Sequence, residues 1–160
     1  MPRKINGTRR KKARKATYTV EIASWDWHYS VGLGRGIGEK MPIEQGGYLL
    51  IKGTPYGSKL EKTKDAELLI WPIMDLSWRK SGDPVPPDIG DMGIVDKVFT
   101  VYQTIPPDAF PQILTLLAAD RIRFVRVEGT ELIRGDGVVH RIAFETSLAE
   151  DEAIDPKPQA

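Results

Sequence analysis

The residues best placed to do chemistry crowd the start of the chain. Arg9-Arg10-Lys11-Lys12-Ala13-Arg14-Lys15 carries six cations in seven positions. Nucleic acid presents a dense line of phosphates, and lysine and arginine gain affinity there by releasing condensed counterions. No aromatic residue is interleaved and nothing nearby suits the reading of base edges. Arg9, Arg10, Lys11, Lys12, Arg14 and Lys15 are therefore expected to grip nucleic-acid phosphates without sequence specificity. Two rival readings need no nucleic acid. The run is a solubilising tail that touches acidic protein or anionic lipid, or it folds back on an acidic body, its own or a neighbouring subunit's. The second needs close contact, because charges are screened over ~8 Å at about 0.15 M salt. The run has no apolar face to insert into a membrane.

A second constellation involves both histidines of the chain. Asp26 and His28 fall on one side of the segment TYTVEIASWDWHYSVGL, opposite Trp25, Trp27 and Tyr29. His140 sits in a late segment among Val138, Ile142 and Phe144. Convergence of Asp26, His28 and His140 would make a two-histidine, one-carboxylate metal site, or an acid–base pair. Without convergence, His140 is a hydrogen-bonded core histidine and the other two are solvated. No cofactor is expected.

Other motifs are weaker. Gly32, Gly34, Gly36 and Gly38 alternate with larger residues but miss the dinucleotide-binding spacing, because Ile37 and Glu39 stand where the last glycine would fall. A glycine-rich hairpin or strand end is the plainer reading. Asp83, Asp88, Asp91 and Asp96 do not follow the calcium-loop pattern, and turn chemistry accounts for them. Trp78, Arg79 and Lys80 precede the proline-rich stretch SGDPVPPDIGD and are a candidate partner contact. Absence of cysteine removes disulfides and thiol nucleophiles, and makes a cytoplasmic location the default expectation.

Charge divides the chain. Residues 1–15 hold eight of its 23 basic residues and no acid, a charge of +8; the remainder holds 15 basic and 22 acidic residues, a charge of −7. Three regions follow: a disordered basic arm over 1–16, a single β-rich domain over 17–148, and an acidic frayed tail over 149–160. The arm has no apolar stretch after its charges, so it does not read as a secretory signal, and no window reaches the ~18 apolar residues of a membrane span.

The elements that must position these residues are mostly strands. Thr17–Leu33 is the longest alternating run. Its apolar parity switches at Ala23–Ser24, from Tyr18, Val20 and Ile22 to Trp25, Trp27 and Tyr29, which predicts a β-bulge or a crossing between sheets. Both half-faces, with Trp25, Trp27 and Trp71, are expected in the core. Glu67–Met74 reads as a strand buried on both faces, and Met92–Ile105 as one strand. One helix is expected at about 109–119, capped by Asp108, with Phe110, Ile113, Leu114 and Leu117 on one face. Arg134-Gly135-Asp136-Gly137 should turn a hairpin.

The fold class is mainly β, formally α+β. About six mostly antiparallel strands form a curved sheet, sandwich or half-open barrel carrying that helix. The functional expectation is a non-enzymatic binding protein whose arm holds nucleic acid and whose domain contacts a protein partner. The alternatives are a structural subunit of a coat-like shell with a basic arm, and a small metal-dependent enzyme.

Overall fold

A computed structural model describes residues 13–32, 44–74, 76 and 78–148. Seven strands close into a barrel: β1 (Lys15–Gly32), β2 (Glu44–Tyr56), β3 (Asp65–Trp71), β4 (Gly90–Val95), β5 (Val98–Thr104), β6 (Phe124–Thr130) and β7 (Asp136–Glu145). Around the barrel they run β1-β2-β3-β5-β4-β7-β6, and β6 pairs back onto β1. Every neighbouring pair is antiparallel except β3 with β5, which is parallel. Closure removes most of the exposed sheet edge that an open sheet of this size would carry.

Alternation along each strand sends one parity inward. Val20, Leu49, Ile51, Leu68, Ile70, Phe99, Val101, Val125, Val127 and Val139 fill the interior and are wholly buried. Helix α2 (Phe110–Ala118) closes one mouth of the barrel with Phe110 and Leu117 buried and with Ile113 and Leu114 packed against the core. The expected helix and its apolar face are both present. Its start differs: Asp108 lies in a 3-10 turn (Pro107–Ala109) that runs straight into α2, and no side chain caps the helix.

The parity switch in β1 is a bulge. Pairing with β2 slips between Ile22 and Ser24, leaving Ala23 as the extra residue. Beyond it, Trp27 is level with Leu49 and Ile70 on the inner parity, yet the strand has already left the barrel. Trp27, Tyr29 and Val31 are 48%, 49% and 62% exposed. Of the second half-face, Trp25 is half-buried and packs against the core. Trp27 and Tyr29 lie instead on a ribbon of β1 and β2 that projects past the mouth, where they line an open cleft with Ile73, Phe110 and Leu114.

Three further expectations change. Met92–Ile105 is two strands, because Asp96 and Lys97 take φ values of 50° and 67° and turn the chain tightly between β4 and β5. Glu67–Met74 stops being strand at Trp71, before Pro72. Its faces are unequal, with Leu68 and Ile70 inside and Leu69 and Trp71 half-buried outside. Trp71 stacks on Tyr102 there, ring centroids 6.2 Å apart, and does not enter the core. The turn before β7 forms where expected, with Arg134 and Gly135 at φ 55° and 89° and Ile133 bridging Asp136.

The two ends of the barrel differ in kind. The chain enters at one end, where the β2–β3 connection, the Asp96-Lys97 turn and the Arg134-Gly135 turn also lie. The other end carries the projecting ribbon, the short helix α1 (Trp78–Ser81), the loop that follows it, and α2.

Candidate functional site: the cleft at the root of the basic arm

At the entry end, Arg14, Lys15, Ala16, Tyr18, Lys59, Leu60, Ile94, Glu131, Leu132 and Gly135 line a cleft of about 540 Å³. Local hydrogen bonds fix its walls. The Glu131 amide donates to the Arg14 carbonyl at 2.7 Å, which anchors the first residues of the arm to the end of β6. Lys59, on the 3-10 turn after β2 (Ser58–Leu60), donates from Nζ to the Thr17 carbonyl at 3.1 Å. The Leu132 amide donates to the Tyr18 hydroxyl at 3.0 Å. Burial pushes the Tyr18 phenol above its ordinary value near 10, helped by the nearby Glu131 carboxylate and opposed by the Leu132 amide. Tyr18 is thus a neutral dipole at the cleft floor.

Arg14, Lys15 and Lys59 are exposed, and among the described residues none of them is in an ion pair. The salt bridges lie elsewhere on the barrel: Lys52–Glu67, Arg123–Glu21, and a cluster in which Arg126 and Arg141 share Glu128 while Arg126 reaches Glu145 at 2.7 Å. Lys62, Lys64, Lys97 and Arg134 are also exposed at the entry end. A cleft with three cations that make no ion pair among the described residues, and with one acid, Glu131, can hold an anionic oxygen cluster such as a phosphate.

Of the residues singled out in the sequence, Arg14 and Lys15 are in this cleft. Arg9, Arg10, Lys11 and Lys12 lie outside the described residues, as does most of the glycine run. Sequence reasoning missed Lys59 and Tyr18. Lys59 reaches the site because β2 pairs antiparallel with β1, with Tyr56 against Thr19, and Tyr18 meets the Leu132 amide because β1 also pairs with β6. No local motif announces either long-range pairing.

The histidine–carboxylate site does not form. Asp26 and His28 lie on β1 beyond the bulge, whereas β1 pairs with β6 only as far as Glu21, and β7 is on the far side of β6. His28 stacks on Tyr48 with centroids 5.4 Å apart. His140 is no core histidine either. The β6–β7 register slips so that Glu128 faces Arg141 and Gly129 faces Val139, which leaves His140 as the bulged, outward residue. Among the described residues no group of three histidines or carboxylates could hold a metal ion. Arg79 and Lys80 are exposed on α1. Among the described residues no helix is long and apolar enough to cross a membrane.

Compared with family models, with curated proteins and with solved structures, the chain matches none.

Proposed function

We propose that this protein is a non-enzymatic binding module. In this reading Arg9, Arg10, Lys11, Lys12, Arg14 and Lys15 contact nucleic-acid phosphates without sequence preference, while the barrel contacts a protein partner through a surface that includes Trp78, Arg79 and Lys80. One observation carries it: the arm is rooted in a cleft whose Arg14, Lys15 and Lys59 side chains have no internal counter-charge among the described residues. Among the described residues that line the cleft Glu131 is the one acid, and Glu61, Asp65, Asp96 and Asp136 lie further out on the same end. The cleft extends the charged run onto a rigid surface, so some phosphate contacts are made at low ordering cost.

The test uses fluorescence anisotropy with several labelled duplexes of unrelated sequence. Replacing Arg14, Lys15 and Lys59 by glutamine should weaken all of them by a similar factor, and should lower the salt slope by about one for each cation removed. Sequence-dependent losses, or no loss, would refute the reading.

A further inference from the structure

Beside the projecting ribbon an apolar cleft of about 650 Å³ opens against α2. Trp27 and Gly46 of the ribbon, Pro72 and Ile73 after β3, and Phe110 and Leu114 of α2 line it. None of the described residues that line it carries a charged side chain, so a charged occupant would lose its hydration and gain no partner. Its size is that of a ligand site. Trp27 and Ile73 are 48% and 63% exposed, which leaves apolar surface for a guest to cover. Gly46 adds room, because a Cβ there would meet nothing within 4 Å.

The same end of the barrel carries a segment of matching chemistry. The loop after α1 contains Pro84-Val85-Pro86-Pro87. Proline holds φ at about −65°, and a residue that precedes proline is driven to extended backbone. Asp83, Val85 and Pro86 are all so placed, which presets the segment as about 12 Å of polyproline II helix. All four residues are exposed, Val85 at 69%. The loop lines no part of the cleft in its own copy.

We propose that Pro84–Pro87 of a second copy docks in this cleft, and that two copies exchange these segments reciprocally about a two-fold axis. Aromatic-lined grooves suit such segments, because the preset helix has little conformational freedom left to lose. Its main-chain carbonyls have no partner within the segment, and the Trp27 indole N–H can donate to one of them. Cleft and loop lie at the same end, so two barrels meeting end to end make both contacts at once. Each contact raises the effective concentration for the other, and the assembly closes at two copies. The phosphate contacts at the entry end take no part, so the two readings stand or fall separately.

Sedimentation of the full chain, nuclease-treated, across the micromolar range tests this. The expected result is a reversible monomer–dimer equilibrium. Gly46→Leu fills the cleft from a position with open space around it, and should weaken dimerisation at least about tenfold. Pro84→Ser with Pro86→Ser and Pro87→Ser unlocks the exposed loop and should weaken it by a similar factor. Circular dichroism and thermal melting confirm that each variant is folded. Mixing the two variants then gives the sharpest reading. One keeps an intact loop and the other an intact cleft, so together they form a heterodimer through the single remaining contact. It should be weaker than the native dimer but stronger than the self-association of either variant. A chain monomeric throughout, a dimer that neither change weakens, or a mixture no more associated than its components would overturn the proposal. In the monomeric case the cleft belongs to a proline-rich segment of another protein or to an apolar small molecule.

Discussion

Gly53 stands where β2 faces the β1 bulge, level with Ile22, and the account makes its lack of a side chain a structural requirement. A Cβ added there would run into the Glu21 carbonyl oxygen and stand 2.8 Å from Val20 Cγ1. The first obstacle is backbone, so no rotamer change relieves it and the two strands must part. Overpacking of this kind costs ~1–3 kcal/mol. Against it stands the ~0.4–1 kcal/mol that alanine gains over glycine by restricting the unfolded chain. The net expectation for Gly53→Ala is a loss of about 1–2 kcal/mol, which for a chain of this size lowers Tm by roughly 3–8 °C. Gly46→Ala is the internal control. A Cβ there meets nothing within 4 Å, so stability should hold or rise slightly. Urea and thermal denaturation of both variants measure the difference. If Gly53→Ala proves as stable as Gly46→Ala, the close crossing at the bulge is not what throws the ribbon out of the barrel.

Three further outcomes are expected. Gln103 is 1% exposed and neither atom of its amide has a hydrogen-bond partner, so Gln103→Leu should be neutral or stabilising by about 1–2 kcal/mol in urea denaturation. Tyr18 holds its proton more tightly folded than unfolded, so its contribution is complete below pH ~10 and is lost as pH rises through the raised folded value. Tyr18→Phe should flatten this alkaline fall, while costing ~1 kcal/mol at neutral pH through the orphaned Leu132 amide. Asp96 and Lys97 both occupy the left-handed region in a two-residue hairpin; Asp96→Asn with Lys97→Gly should add about 1 kcal/mol, read from the denaturation midpoint.

Local signals in the sequence carried real structural information where the cause was local. The parity of Tyr18, Val20 and Ile22 against Trp25, Trp27 and Tyr29 placed a bulge or sheet crossing at Ala23–Ser24, and the β1 bulge lies between Ile22 and Ser24, because side-chain alternation is a backbone property. The spacing of Phe110, Ile113, Leu114 and Leu117 gave α2 its buried face, and Arg134-Gly135 gave a turn. Parity does not say what covers a face, however, so Trp27 and Tyr29 read as core although the barrel ends before them. Asp96-Lys97 lacks the glycine that marks such a turn, which hid a seventh strand inside Met92–Ile105. His140 read as inward-facing because a bulge has no signature when flanking residues are apolar on both parities. Half of the cleft was legible: Arg14 and Lys15 belong to the charged run, whereas Lys59 and Tyr18 join it through strand pairing across the sequence.

The central claim, that the cationic lead-in and its cleft hold a polyanion through its phosphates, is tested most directly by the salt dependence of binding to random-sequence duplex. With about six phosphates engaged, log K should fall against log salt with a slope near −5, and removal of residues 1–12 should leave a slope of about −3 from the three cations of the cleft. A slope near zero for the full chain, or one unchanged by the truncation, would contradict it.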